Sequence, residues 1–249
     1  MSWMQKKGIF EDLYVYQPWS VPLLHTSLSD NFIQKLIQLT DVIAEDKEEQ
    51  ESIGSEVSGE IKDEWKIDPV LLTNIKFTDN IIRLGWEYFK IVLNNFQIID
   101  NKVPLALVVF KSALENIEIS SAWFNDQKDN EYSPMHKHTG ILSGVLYLKI
   151  PEYLPSRKNQ GTDGAITFIG NETAQEGMIS NSTLKISPKV GDIFMFPSSL
   201  KHEVYPFRTK DGKGVRRSLS FNLNTDKFIP QAKWFLESKI TSENIPLEE

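Results

Sequence analysis

The sequence predicts one mainly β domain, a jelly roll supported by helices that precede it in the chain. Three observations support this fold class. Short apolar or alternating segments recur from about residue 104 to residue 225, turn-forming glycines and prolines separate them, and two helical patterns come before them. Many short strands at such spacing are typical of β-sandwiches and barrels. We expect a single domain over residues 1–249, with the helical support at about 27–100 and the jelly-roll core at about 104–225.

The helical support is predicted from apolar side chains that recur at helical spacing. The first helix covers residues 27–46, where Ser29 or Asp30 can cap the N-terminus, and the second covers residues 78–96. Between them, residues 45–64 are acidic and almost free of apolar side chains. A segment of this composition cannot bury enough apolar surface to fold, so we expect a solvated, mobile loop.

Composition excludes several function classes. The chain has 27 basic and 34 acidic side chains and a net charge of −7, which disfavours nonspecific binding to nucleic acid or anionic membranes. It has no cysteine, so disulfides, thiolate zinc sites and cysteine nucleophiles are ruled out. No apolar run approaches the ~20 residues of a membrane helix, and no signal peptide is evident. We therefore expect a cytoplasmic protein with no membrane partner.

The connections between the predicted strands include three polar segments of the length that functional loops reach: residues 125–134, 151–164 and 170–181. We predict these as candidate lids over a site. Their composition does not choose between a peptide, a nucleobase, a sugar and a small metabolite as substrate. The sequence gives no indication of the oligomeric state.

Two of the four histidines, His136 and His138, are one residue apart. In an extended strand, side chains at i and i+2 point to the same face, so both imidazoles can reach one metal ion. A third ligand is predicted at His202, which a short loop after a strand ending at Pro197 delivers to the next strand. Such a set leaves coordination positions open for substrate and oxygen. The alternative, an exposed polar His-Lys-His stretch with a surface His202, stays open because short motifs often arise by chance.

A second constellation lies in the segment VRRSLSFNLN at 215–224. Arg216 and Ser218 share one phase of this predicted strand with Ser220 and Asn222. A guanidinium fork beside a hydroxyl is well shaped to bind a carboxylate. The alternative is an arginine at a strand entry that pairs with a surface acid.

The combined pattern resembles the 2-oxoglutarate- and Fe(II)-dependent oxygenases of phages and marine bacteria. The resemblance rests on SAWFN, HKHTGILSGVLYL, GAITF, GDIFMFPSSLKHEV and RRSLSFN, in this order over roughly residues 120–224. The segment LYVYQPWSVPLL is similar to the family's opening strand, more weakly. The resemblance implies a double-stranded β-helix fold, cupin-like in its architecture. It also implies Fe(II), 2-oxoglutarate and O2 as cofactor and co-substrates, with 2-oxoglutarate converted to succinate while a substrate C–H bond is hydroxylated.

The resemblance also implies roles for individual residues. His136 matches the first iron ligand and His202 the distal histidine. Arg216 and Ser218 match the pair that binds the distal carboxylate of 2-oxoglutarate. In the wider oxygenase superfamily the second ligand is usually an aspartate, and His138 stands in its place here, so the iron would carry one more unit of positive charge.

Three further residues are weaker candidates. By the resemblance, Tyr147 would donate a phenolic hydrogen bond to the co-substrate, although barrel packing explains it equally well. Asn125 would line the pocket, and turn or strand-end capping is its alternative role. We expect Trp123 to be a core residue.

Three alternatives stay open at this point. In a different register, His138 is the first ligand and Gly140 stands in the acid position, as in iron halogenases where a halide fills the gap. The protein could also be a three-histidine dioxygenase that uses no 2-oxoglutarate, although Arg216 would then have no obvious role. A cupin-like metal- or ligand-binding module without catalysis is the alternative from another class of function.

Overall fold

The computed structural model describes residues 10–16, 21–45, 61–95, 117–154, 162–170 and 182–225. Three helices are present in this part of the chain: α1 (Asp30–Glu45), α2 (Pro69–Asn74) and α3 (Phe77–Asn95). The strands are β1 (Phe10–Tyr16), β2 (Leu23–Leu28), β3 (Glu64–Lys66), β4 (Glu118–Lys128), β5 (Ser133–His136), β6 (Leu142–Lys149), β7 (Ile166–Ile169), β8 (Thr183–Ile186), β9 (Asp192–Pro197), β10 (Lys201–Val204) and β11 (Val215–Asn224).

The strands form two antiparallel sheets. The larger sheet has the order β1-β2-β9-β6-β11-β4-β3, and the smaller one has the order β5-β10-β7-β8. From β4 to β11 the chain passes repeatedly between the two sheets, and β4, β6, β9 and β11 lie side by side in the larger one. This exchange of strands between two facing sheets is the jelly roll, or double-stranded β-helix. The predicted fold class, mainly β with supporting helices, is confirmed.

Each face of the larger sheet packs against a different layer. Along β6, Leu146 and Leu148 belong to the main apolar cluster that includes side chains of all three helices. Val145 and Tyr147 point the other way, into a second cluster with side chains of the smaller sheet. This alternation follows from the period of two of a strand. The helices therefore close one face of the sheet and leave the face between the two sheets available for a site.

The first helix differs at its start from the prediction. Residues 23–28 form strand β2, and the helix begins at Asp30, with Ser29 O accepting hydrogen bonds from the next turn. The helix α2 was not predicted; the side chain of Asp68 caps it, and Pro69 occupies its first turn. The helical support thus begins at residue 30 rather than at residue 27.

A partly buried ion-pair network centred on Arg217 connects α1 to the larger sheet. Arg217 binds the carboxylate of Asp126 through Nε at 2.6 Å and Nη2 at 2.5 Å. Its Nη1 donates to Thr40 Oγ1 at 3.0 Å and to Asp41 Oδ1 at 2.6 Å. Because Arg217 is only 3% exposed, these contacts satisfy a charge that would be costly to bury alone.

The predicted acidic loop needs a correction at its C-terminal end. Residues 46–60 lie outside the described part of the chain, but residues 61–64 do not behave as a solvated loop. Ile61 is buried, and Glu64 begins β3 with an exposure of 4%. Pairing of β3 with β4 places this carboxylate inside the protein.

The other predicted segments are only partly described. The start of the predicted jelly-roll core, residues 104–116, lies outside the described residues. So do nearly all of the candidate lid at 170–181 and the middle of the lid at 151–164. The candidate lid at 125–134 is mostly strand, because β4 extends to Lys128 and β5 starts at Ser133. Among the described helices, none has the length and hydropathy that a bilayer crossing requires.

Candidate active site

An open cavity of about 640 Å³ lies between the two sheets. The seven side chains that the sequence predicts as site residues all line it: Asn125, His136, His138, Tyr147, His202, Arg216 and Ser218.

The smaller sheet brings two of the histidines together. His136 on β5 and His202 on β10 are direct cross-strand partners, and their ring centroids are 4.3 Å apart. His138 completes the group, with its Nε2 3.2 Å from Nε2 of His202. One ring nitrogen from each of the three histidines lies within 4.8 Å of the other two, which is compatible with a common metal ion.

His138 reaches the histidine cluster in a different way from the predicted one. β5 ends at His136, so His138 lies beyond the strand and does not share its face by strand geometry. Its position depends on a tertiary contact, because its backbone N–H donates to the carbonyl of Ser198 at 2.9 Å. The ring of Trp123 lies against it, with the centroids 5.4 Å apart.

Backbone carbonyls orient two of the imidazoles toward the cluster. His136 Nδ1 is 2.7 Å from the carbonyl of Pro134, and His202 Nδ1 is 2.9 Å from the carbonyl of Leu200. A carbonyl can only accept, so each Nδ1 carries the proton and each Nε2 offers a lone pair. This arrangement is how proteins prepare histidine ligands for metals. The donor set therefore fits a metal ion, and imidazole suits iron.

Burial keeps these imidazoles neutral. It lowers the pKa of His202 to about 3 and that of His138 to about 4, and the nearby imidazoles add to both effects. The pKa of His136 is also lowered by burial, with its hydrogen bond to Pro134 opposing the change. At neutral pH, protons therefore do not compete for the Nε2 lone pairs.

Deeper in the cavity, Arg216 is a buried cation that pairs with no carboxylate among the described residues. It is 2% exposed, and its Nη1 donates to the neutral Oε1 of Gln127 at 2.5 Å. Its Nε has no hydrogen-bond partner within the described part of the chain. Burying a guanidinium in this state is costly. The side chain is therefore prepared for an anionic ligand.

Tyr147 lies beside this guanidinium. The Arg216 carbon Cζ is 4.7 Å from the centroid of the Tyr147 ring, and the hydroxyl of Tyr147 is buried without a hydrogen-bond partner among the described residues. Burial raises the pKa of Tyr147 to about 12, although the Arg216 charge opposes the change. The hydroxyl is therefore protonated and can donate to the same anion as Arg216.

Ser218 and Asn125 form a row across the larger sheet with Tyr147 and Glu64. The register pairs Tyr147 with Ser218, Ser218 with Asn125 and Asn125 with Glu64. The hydroxyl of Ser218 donates to Asn125 Oδ1 at 3.0 Å, and Asn125 Nδ2 donates to Glu64 Oε1 at 3.5 Å. To bind an anion beside Arg216, the Ser218 hydroxyl must turn its proton away from Asn125.

Two cavity residues were missed by the sequence analysis. Glu64 was placed in the acidic loop, and Trp123 was assigned to the core, whereas both line the cavity and Trp123 is only half-buried. Burial raises the pKa of Glu64 to about 7, with the hydrogen bond from Asn125 opposing the change. The alternation of Trp65 and Ile67 with polar residues was the available signal for a strand at this point.

The alternative register, with His138 as the first ligand and Gly140 in the acid position, stays a prediction. Gly140 has a φ of +101°, and a Cβ there would lie 2.9 Å from the carbonyl oxygen of Leu223. His136 lies within the histidine cluster, as the register with His136 as the first ligand requires.

A family comparison agrees with this geometry. Residues 121–222 match the model of the family described as "Putative 2OG-Fe(II) oxygenase". The match covers less than half of the 249 residues, but it includes all seven predicted site residues. A search of curated proteins found no match.

Several solved structures are similar to this chain. A prolyl-4-hydroxylase from Pseudomonas putida is 15% identical with a TM-score of 0.48, and the alignment covers 80% of this chain and 91% of that one. A viral collagen prolyl hydroxylase from Paramecium Bursaria Chlorella virus-1, solved with 2-oxoglutarate, is 14% identical with a TM-score of 0.42 over 89% and 98%. A Trichoplax adhaerens prolyl hydroxylase in complex with a peptide fragment is 14% identical with a TM-score of 0.45 over 87% of each chain. At TM-scores below 0.5, these similarities carry no argument about the function of this chain.

Proposed function

We propose that this chain, a 2OG-Fe(II) oxygenase by the family match of residues 121–222, hydroxylates a substrate C–H bond within the cavity between its two sheets. The assignment of the co-substrate site rests on the buried guanidinium of Arg216, for which the described residues supply no anion. It lies in the same cavity as three histidines with converging ring nitrogens. A dicarboxylate with one end at the histidine cluster and the other at Arg216 would satisfy both.

In this proposal, His136, His138 and His202 hold Fe(II) through their Nε2 atoms. The carbonyls of Pro134 and Leu200 fix two of the rings in the required tautomer. When bound, the iron supplies the redox chemistry by which 2-oxoglutarate, O2 and a C–H bond give succinate, CO2 and a hydroxylated product. The protein binds and orients the reactants and limits the access of water.

Arg216 holds the distal carboxylate of 2-oxoglutarate. Among the described residues that line the cavity, its Nε–H and the hydroxyl of Tyr147 are buried donors without an acceptor, and Ser218 adds a third donor once its proton turns from Asn125. Charge-assisted hydrogen bonds in a buried site are the strong ones. Apolar side chains that include Val145 and Phe196 also line the cavity and reduce the solvation of these hydrogen-bond donors.

A three-histidine dioxygenase without 2-oxoglutarate and a non-catalytic module both leave the Arg216 charge unexplained. One experiment separates the proposed function from these two alternatives. It compares metal-loaded protein with and without 2-oxoglutarate in air. We expect succinate to form from 2-oxoglutarate with Fe(II) present and to disappear in the double variant His136→Ala, His202→Ala. Iron retained stoichiometrically by that variant would rule out this metal site.

The single domain over 1–249, an origin in phages or marine bacteria and a cytoplasmic location remain predictions from the sequence.

A further inference from the structure

We infer that three buried polar side chains beside the cavity, Ser143, Ser198 and Asn222, are positioning residues for the metal site. Together they fix the turn that follows β9, residues 198–200, on which two of the three histidines depend. Neither the family match nor the site residues predicted from the sequence give these side chains a role. The inference rests on the proposed function, because it concerns how the chain holds the proposed iron ligands.

The turn after β9 contacts two histidines at once. The carbonyl of Ser198 accepts the backbone N–H of His138 at 2.9 Å, and the N–H of Ser198 donates to the carbonyl of Ile141 at 3.1 Å. Two residues further along, the carbonyl of Leu200 lies 2.9 Å from Nδ1 of His202. The position of this turn therefore sets where His138 and His202 lie relative to each other.

The side chain of Ser198 connects this turn to the larger sheet. Its Oγ is 2.9 Å from Oγ of Ser143 on β6, and Ser143 Oγ is 2.7 Å from Oδ1 of Asn222 on β11. A hydroxyl has one proton, so when Ser143 donates to the amide oxygen, the proton between the two serines comes from Ser198. Asn222 is held in turn, because its Nδ2 donates to Ser121 Oγ on β4 at 3.0 Å. The hydrogen bonds thus run in one direction from the turn across three neighbouring strands.

Burial makes this network specific in its geometry. Ser198 is 1% exposed, Ser143 2% and Asn222 6%. Hydrogen bonds between buried neutral groups contribute little net stability, since apolar groups of the same shape can be nearly as stable. Such a network instead favours one arrangement, because breaking any link leaves a buried polar atom without a partner. We therefore assign it to the placement of the turn rather than to the stability of the sheet.

The metal site requires such precise placement. The Nε2 atoms of His138 and His202 are 3.2 Å apart, and His138 lies outside any strand. A metal site tolerates displacements of its ligands of only about 0.5 Å. Groups that orient the ligands without touching the metal change metal affinity roughly 10- to 100-fold. Movement of the turn should therefore weaken metal binding even though every histidine is still present.

The test measures metal binding apart from activity. Co(II) is titrated into the metal-free wild type, Ser143→Ala, Ser198→Ala and the double variant, and the ligand-field absorption of the bound ion reports both affinity and coordination. Each single variant should bind Co(II) at least about tenfold more weakly and with an altered spectrum. The double variant should bind about as weakly as one single variant, because both substitutions break the same link.

Thr40→Val is the matched control. The Thr40 hydroxyl is also buried, but it lies on α1 and accepts a hydrogen bond from Arg217, away from the cavity. Valine removes this hydroxyl and nearly keeps the shape of the side chain. The variant should lower the Tm of the metal-free protein while its Co(II) affinity and spectrum stay as in the wild type.

Each outcome decides the inference. Wild-type affinity in Ser143→Ala and Ser198→Ala, independent losses that add in the double variant, or an equal loss in Thr40→Val would overturn it. If one single variant fails to fold, the other tests the same link against Thr40→Val. A wild type that binds no Co(II) would refute the proposed metal site and this inference with it. A wild type that binds Co(II), with variants that bind it equally well, refutes only the positioning role.

Discussion

The neighbouring residues Arg216 and Arg217 provide a matched pair of substitutions on one strand. Both are buried. Arg216 faces the cavity, and its Nε has no hydrogen-bond partner among the described residues. Arg217 faces α1, and its donors bind Asp126, Thr40 and Asp41. Replacing either with lysine keeps the charge and removes the planar fork. We therefore expect Arg216→Lys to weaken 2-oxoglutarate binding and Arg217→Lys to lower the stability of the fold.

The contacts of Arg216 set how much 2-oxoglutarate stabilises the wild type and the Arg216→Lys variant. Saturating wild type with 2-oxoglutarate at about 100 times its Kd adds about 2.7 kcal/mol, or roughly 5–11 °C in Tm for a protein of this size. Loss of one charge-assisted hydrogen bond in Arg216→Lys costs about 1.5–3 kcal/mol, which lowers the affinity roughly 10- to 150-fold. At the same concentration, the ligand would then add only about 0.3–1.3 kcal/mol, or roughly 1–5 °C.

The assay is thermal unfolding of Fe(II)-loaded protein under anaerobic conditions, with and without 2-oxoglutarate. Arg217→Lys should lower the Tm of the ligand-free protein by roughly 3–12 °C, because lysine cannot make both hydrogen bonds to the Asp126 carboxylate. The increase in Tm on adding 2-oxoglutarate should stay as in the wild type. If Arg217→Lys loses the ligand-induced shift and Arg216→Lys keeps it, the assignment of the two faces of β11 is wrong.

Three further predictions concern the metal site and the core. His136→Ala should lose Fe(II), while the Tm of the metal-free protein should change little, since this half-buried side chain adds little apolar burial. His138→Asp should retain the metal, and His138→Gly should bind it more weakly. Metal analysis of the purified variants checks all three. The pKa values of His202 and His138 in the folded protein lie below their ordinary 6.5, so below pH 6.5 the unfolded chain binds more protons than the folded one. The stability of the metal-free protein, measured as the urea midpoint, should therefore fall as the pH is lowered from 6.5. The fall should be smaller in His202→Asn. Gly144→Ala should destabilise the protein by about 1–3 kcal/mol, since its Cβ would clash with the Phe221 ring, and an unchanged urea midpoint would contradict this.

The cavity-facing residues of the long strands could be predicted because a strand has a period of two. Arg216 and Ser218 share a phase that Arg217 does not, and β11 runs without interruption from residue 215 past all three. His202 was likewise located by the strand and turn that precede it. In these cases, local pattern and tertiary position agree.

The remaining features depend on contacts that the sequence does not display. His138 reaches the cluster because Ser198, sixty residues away in the chain, accepts its backbone N–H, and not because of a strand. Glu64 follows an acidic stretch whose average composition indicates a loop, yet a three-residue strand pairs it with β4. Such a short strand is stabilised by its neighbour rather than by its own sequence.

The most direct test of this account is the anomalous X-ray scattering of iron in a crystal grown anaerobically with Fe(II) and 2-oxoglutarate. We predict one iron peak at bonding distance from Nε2 of His136, His138 and His202, with the distal carboxylate of 2-oxoglutarate on Arg216. An iron held by only two of these histidines, with His138 turned away, would contradict the three-histidine site. Iron elsewhere in the chain, or a co-substrate that does not contact Arg216, would contradict the account as a whole.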